Sequence, residues 1–218
     1  MKQPLYITFT GVDDRTNLNN ILLISDLYKK KVEWGILVSL TNKDSRYPSI
    51  QGMAEIVSFM INKNLPYAIH LCGRAARENA WENDYVLETA LMNATTIQIN
   101  GNPPAQFSYR INHNFVKPKV VLQTKTGFDH NLYHELYDCS GGKGIVPDHI
   151  PELPNDRELV GYAGGIGPDT VEDYIKKINA NEGKANYWLD MESSLRKDGW
   201  FDIQAVAEVL KTVYGRVS

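Results

Sequence analysis

Cysteine is scarce in this chain, with only Cys72 and Cys139 among 218 residues. Two thiols so far apart make neither a disulfide scaffold nor a zinc cluster, so a reduced, cytoplasmic compartment is the simplest expectation. An excess of one charge is missing too. Lysine and arginine total 23 against 26 acidic residues, a formal charge of -3, which gives no electrostatic reason to expect nucleic acid or an anionic membrane as partner. No apolar run approaches the roughly 20 residues a membrane-spanning helix needs. The opening residues pass straight into a strand-like segment, not into a charged leader with an apolar stretch. Histidines 113, 130, 134 and 149 have no metal-like spacing, so neither a metal nor a cofactor is expected. Internal repeats, low-complexity tracts and interdomain linkers are absent as well. What remains is a chain 43% hydrophobic and 22% charged, able to bury a substantial core, and residues 1–218 read as one domain.

Strand-like and helical patterns alternate along it. Short apolar segments at Leu5–Thr10, Val32–Leu40, Pro66–Gly73, Ala94–Gly101, Lys119–Thr126, Glu135–Cys139, Leu159–Ala163 and Asn186–Asp190 read as eight strands. Helical spacing predicts helices over Asn17–Lys31, Pro48–Asn62 (with proline in the first turn), Arg74–Met92, Pro103–Asn112, Thr170–Asn179 and Ile203–Tyr214. Eight strands, nearly all followed by a helix, are the arithmetic of a (β/α)₈ TIM barrel, with a doubly wound sheet as the runner-up. Gly127–His134 leaves hardly a turn for a fifth helix. Lys143–Arg157 carries three prolines in place of a sixth, so both connections are expected to be shortened.

Three consecutive strands end in small residues: Gly141 and Gly142, Gly164 and Gly165, Ser193 and Ser194. Glycine turns leave backbone N–H groups free to converge on an anion, and three in a row point to one rim built for a phosphate. The strand ends also gather Thr8, Thr10, Ser39, His70, Cys72, Gln98, Asn100, Gln123, Lys125, Asp138, Asp190 and Glu192. Most are two residues apart, which places them on one face of their strand. Glu192 works against an adjacent phosphate unless it points elsewhere. Paired glycines also mark ordinary tight turns.

In these stretches the chain resembles phosphoribosylanthranilate isomerase, a monomeric or dimeric (β/α)₈ barrel that catalyses an Amadori rearrangement. The family's strand-six aspartate and Gly-Gly-Thr-Gly-Lys loop correspond to Asp138 and Ser140-Gly-Gly-Lys-Gly144. Its Ala-Gly-Gly-Leu corresponds to Ala163-Gly-Gly-Ile166, and its Asp-x-Ser-Ser-Gly to Asp190-Met-Glu-Ser-Ser194. A family arginine after strand two matches Arg46 in Asp44-Ser-Arg46-Tyr47. The resemblance implies Asp138 as general acid and a small phosphorylated sugar or related anion as partner, in a monomer or a homodimer; Arg46 reads either as a bidentate clamp for a carboxylate or phosphate or as a solvated residue on a polar loop. The family's general-base cysteine falls at Thr10, whose neutral hydroxyl cannot serve as a base near neutral pH. His70 reads either as the first replacement, since an imidazole titrates near pH 6.5, or as a hydrogen-bonded histidine at a strand end. Cys72 shares its face and offers a thiolate, though a small buried residue is its simpler reading, and Asp190 and Glu192 are further bases. Lys125 reads either as a Schiff-base lysine or as a partner for a carboxylate or ligand anion. Three functions stay open: an aldose–ketose isomerase, a lyase or epimerase on the same scaffold, and a binder that keeps the anion seat without a base.

Overall fold

In the computed structural model, eight parallel strands close into a barrel in the order β1 to β8. Residues 1–76, 78, 82, 84–101, 103–128, 134–140, 146–147, 149–180 and 183–215 are described. The strands are β1 (Ile7–Thr10), β2 (Val32–Ser39), β3 (Tyr67–Cys72), β4 (Thr96–Ile99), β5 (Lys119–Thr124), β6 (His134–Tyr137), β7 (Leu159–Tyr162) and β8 (Asn186–Met191). Pairing of β1 with β8, Thr8 opposite Asp190, closes the ring. Outside it lie α1 (Leu18–Leu27), α2 (Ile50–Asn62), α3 (Tyr85–Asn93), α4 (Ala105–Asn114), α5 (Val171–Asn179) and α6 (Ile203–Tyr214). Among the described residues no helix follows β5 or β6, where the sequence leaves little room for one. None of the described helices is long and apolar enough to cross a membrane.

Alternation along each strand sorts the side chains. Ile7, Phe9, Trp34, Ile36, Ile69, Leu71, Ile97, Val160 and Tyr187 face the helices in one large buried cluster. Burying one such side chain contributes about 1.5–3 kcal/mol. The alternate positions fill the barrel. The helix ends follow local chemistry: the side chains of Asn17, Ser49, Asp84 and Asp202 each accept a backbone N–H in the first turn of α1, α2, α3 and α6.

Several boundaries differ from the sequence pattern; the first helix, for one, ends at Leu27 and not at Lys31. The second helix begins after Ser49, which caps it, so Pro48 lies outside the first turn. The long helical run after β3 is broken: a 3₁₀ turn spans Gly73–Ala76 and α3 starts only at Tyr85, behind the Asp84 cap. After β8 a small antiparallel hairpin pairs β9 (Arg196–Lys197) with β10 (Trp200–Phe201). Its turn residues Asp198 and Gly199 both have positive φ, 52° and 84°, the two-residue Asp-Gly hairpin signal that strand periodicity alone does not display.

Candidate functional site

A cavity of about 630 Å³ opens at the C-terminal ends of the strands, the end of such a barrel where side chains from several strands converge. His70, Cys72, Asp138, Asp190 and Glu192 line it, together with Arg46, Lys125, Gly164, Gly165, Ser193 and Ser194. Most residues singled out in the sequence therefore meet in one place. Gly141 and Gly142 lie outside the described residues. Thr10 is fully buried and is not part of the lining.

Thr10 instead serves Asp190. Its hydroxyl donates to Asp190 Oδ1 at 2.6 Å, and Gln98 Nε2 donates to Oδ2 at 3.4 Å. Burial outweighs these bonds, and the charge of Asp138 adds to it, so the Asp190 carboxyl is pushed up to about 7. A carboxyl at that value exchanges protons in both directions near neutral pH. Asp138 is held differently. Gln123 Nε2 donates to its Oδ2 at 2.7 Å, while the amide and hydroxyl of Ser140 donate to Oδ1 at 2.9 and 2.6 Å. Gln123 is fixed in turn, because its Oε1 accepts from the Gly101 amide at 2.7 Å.

His70 packs beside the same network. Gln98 Nε2 lies 3.1 Å from His70 Nδ1. An amide nitrogen only donates, so Nδ1 accepts and the ring hydrogen sits on Nε2. That Nε2 is buried without a hydrogen-bond partner. Burial drives the imidazole down to about 3, so the ring is neutral and a poor base at pH 7. Desolvation pushes the thiol of half-buried Cys72 up to about 12. Its sulfur accepts from Asn100 Nδ2 at 3.3 Å. Between His70, Cys72 and Asp190, the carboxyl is the group whose titration matches a base; the sequence signal for it was the Asp-x-Glu pair closing β8.

The β7 and β8 turns form the opposite wall. Gly164 and Gly165 adopt positive φ, 98° and 66°, which glycine tolerates without strain. Among the described residues, the amides of Gly164, Gly165 and Ile166 form no hydrogen bond. Thr170 pins the turn by donating to Gly165 O and accepting from the Gly167 amide, at 2.8 and 2.9 Å. Ser194 Oγ donates to Ile166 O, and a Cβ on Gly167 would strike Ser194 at 2.4 Å, so the two turns are packed together. On the rim, Arg46 donates to both oxygens of Asp44 at 3.1 Å and to Glu192 Oε1 at 3.3 Å. Burial and the nearby Asp190 charge push Glu192 up to about 7 in spite of Arg46. Lys125 lines the same cavity, and among the described residues no carboxylate pairs with it.

With this geometry, the chain superposes on N-(5'-phosphoribosyl)anthranilate isomerase from Pyrococcus furiosus at a TM-score of 0.60 and 17% identity, covering 96% of this chain and 98% of that one. The likeness is one of fold. A mandelate racemase/muconate lactonizing enzyme from Bordetella bronchiseptica RB50 matches at a TM-score of 0.53 and 8% identity, covering 99% of this chain and 60% of that one. Neither a protein-family model nor a curated relative matches the sequence. The barrel is thus common to these proteins and this chain, while the groups inside the cavity must be judged by their own chemistry.

Proposed function

We propose that this chain is an acid/base enzyme that isomerises a small phosphorylated sugar between its aldose and ketose forms. The observation that carries the reading is the pair of carboxyls, Asp138 and Asp190, in one cavity with Asp190 poised near neutral pH. Asp190 in its carboxylate form takes the proton from the carbon next to the carbonyl, and Asp138, once it has taken a proton from solvent, gives it to the sugar oxygen. The resulting enediol or enolamine becomes the isomeric carbonyl when Asp190 delivers its proton to the former carbonyl carbon and the hydroxyl on the neighbouring carbon gives its own proton to Asp138. No redox partner is needed, because one carbon is oxidised as its neighbour is reduced. The amides of Gly164, Gly165 and Ile166, unbonded among the described residues, with Ser193 and Ser194 beside them, offer a seat for the phosphate. Support also comes from the barrel likeness to an isomerase acting on a phosphoribosyl compound.

The test is a panel of pentose and hexose phosphates and N-aryl phosphoribosylamines, first for thermal stabilisation and then in D₂O for deuterium at the carbon beside the carbonyl. A ligand that binds only the native state raises the melting temperature. At least one compound is expected to do so and to exchange its carbon-bound proton. The rate should rise with pH through about 7, as Asp190 ionises. Asp138→Asn and Asp190→Asn are each expected to lower exchange by about 10²–10⁴-fold with stabilisation retained. Stabilisation with no exchange by wild-type protein would identify a binder, and exchange without isomer formation an epimerase or lyase. No stabilisation by any phosphorylated compound overturns the substrate class.

A further inference from the structure

Arg196 opens the β9–β10 hairpin, and its side chain is only 9% exposed. The guanidinium reaches three loops at once. Nη1 donates to Gly11 O, beyond β1, at 3.1 Å. Nη2 donates to Asp13 Oδ2 at 2.9 Å and to Ser45 O, beyond β2, at 3.1 Å. Nε and Nη2 both donate to Gly199 O in the hairpin turn, at 3.2 and 3.0 Å. The counter-ion is equally engaged: Asp13 Oδ2 also accepts from the Phe201 amide, and Oδ1 from the Arg15 amide and the Thr16 hydroxyl. The β1 loop comes so close that a Cβ on Gly11, at φ 114°, would lie 2.6 Å from Arg196 Nη1.

The residue after Ser45 is Arg46, whose Nη1 meets Glu192 at the cavity wall. The other partner of Arg46 is Asp44, two residues away on the same loop, so that pair travels with the loop and does not fix its place. Ser45 does. Its carbonyl is held by Arg196 and its hydroxyl donates to Gly199 O at 2.6 Å. A planar fork with five N–H donors can bind carbonyls on several loops at once, which an ammonium cannot reproduce.

We propose that Arg196 is a positioning residue: by tying the loops after β1, β2 and β8 to one guanidinium, it sets where Arg46 meets Glu192 on the cavity wall. The assignment goes beyond the isomerase reading and its test needs no substrate, so either can fail alone.

The readout is the Glu192 carboxyl titration, followed by ¹³C NMR in wild type, Arg196→Lys, Arg46→Gln and the double variant. The charged and titratable groups acting on Glu192 are Asp190, Arg46 and Arg196, with Tyr47 and Cys72 close by. Lysine at position 196 keeps the charge and loses the fork. Arg196→Lys is expected to raise the midpoint by about half a pH unit or more, roughly threefold in the proton-binding constant, because Arg46 leaves Glu192. Arg46→Gln raises it as well, and adding Arg196→Lys to Arg46→Gln moves it no further. An unchanged midpoint in Arg196→Lys overturns the proposal, and so does a shift of equal size in the Arg46→Gln background. Should Arg196→Lys not fold, Ser45→Ala removes the parallel tie to Gly199 and is read the same way: a rise supports the assignment, and no change overturns it.

Discussion

The inside of the barrel is made of two materials. Towards β5 to β8, Val121, Leu136, Ala163 and Trp188 form a dry cluster with Tyr6 and Leu159 against it. Tyr6 stacks on Trp188 at 6.0 Å between ring centroids. Gly161 makes the room for the indole, since a Cβ there would fall 2.4 Å from it. Towards β1 to β4 the interior is polar: Thr8, Thr10, Glu33, His70, Thr96 and Gln98 are all buried, with Asp190 beside them. Glu33 receives one hydroxyl on each oxygen, from Thr8 and Thr96, both at 2.8 Å. Burial raises the pKa of Glu33 as it does that of Asp190. An apolar plug stabilises the barrel by removing area from water, whereas buried carboxyls cost stability unless bonded. A fold keeps such a cost where it has a use for it. The Asp190 end of the polar half opens on the cavity; its Glu33 end is sealed.

Breaking the apolar half gives the largest effect. Trp188→Ala is expected to cost about 3–5 kcal/mol, read from urea unfolding, while the Asp190 midpoint stays near 7. A loss below about 1 kcal/mol would mean that the plug is not what holds the strands together.

The polar half is sharpened by pH. An unfolded aspartate titrates near 3.9, and folded Asp190 near 7. A folded value above the unfolded one means that the native state holds the proton more tightly. The contribution of Asp190 is therefore full below about pH 4, falls by about 1.4 kcal/mol per pH unit between about 4 and 7, and is gone above that window. The difference in unfolding free energy between wild type and Asp190→Asn, measured at pH 5 and pH 8, should change by a few kcal/mol. A difference that is the same at both pH values would place Asp190 in a wetter setting than the structure shows.

These two halves also mark what the sequence could disclose. The closed barrel was legible because most strands are short apolar segments whose outward positions, such as Ile7, Phe9, Ile97 and Val160, are apolar; β6 departs from this with Glu135 turned outward to Arg157. The cavity-facing side chains were legible as polar residues two apart at strand ends. Their protonation was not. His70 looks like a base on its strand, and only the surrounding burial makes it a neutral ring. Thr10 stands where the family resemblance puts a thiol, but its hydroxyl is committed to a residue 180 positions away. Contacts of that separation leave no trace in a local pattern. The Arg196 clamp is hidden likewise, since its acceptors are mainly backbone carbonyls on loops far apart in the chain. The hairpin that carries it was missed as well, because its two-residue strands are too short to show a period, and only the Asp198-Gly199 pair signals it.

A middle-sized effect separates the sealed carboxyl from the open one. Thr8→Val or Thr96→Val leaves one oxygen of Glu33 without its donor, and each is expected to cost about 1–3 kcal/mol at pH 8. Neither should alter proton exchange by the enzyme, because Glu33 is not part of the cavity lining. An activity loss as large as that of Asp190→Asn would extend the working half of the barrel down to Glu33.

The smallest effect tests how Thr10 tunes the open end. Its hydroxyl at 2.6 Å favours the ionised form of Asp190 and so opposes burial. Thr10→Val keeps the shape and removes the donor, so the Asp190 midpoint should rise by about half to one pH unit, and the pH–rate profile should move up with it. Thr10→Ser restores both. Thr10→Cys is expected to behave more like the valine variant than like a restored enzyme: a thiol donates weakly, and position 10 faces Asp190 and not the cavity. If Thr10→Cys instead raised activity with a thiol alkylated in competition with a sugar phosphate, position 10 would have reached the ligand itself, and the base would belong on β1 and not on β8.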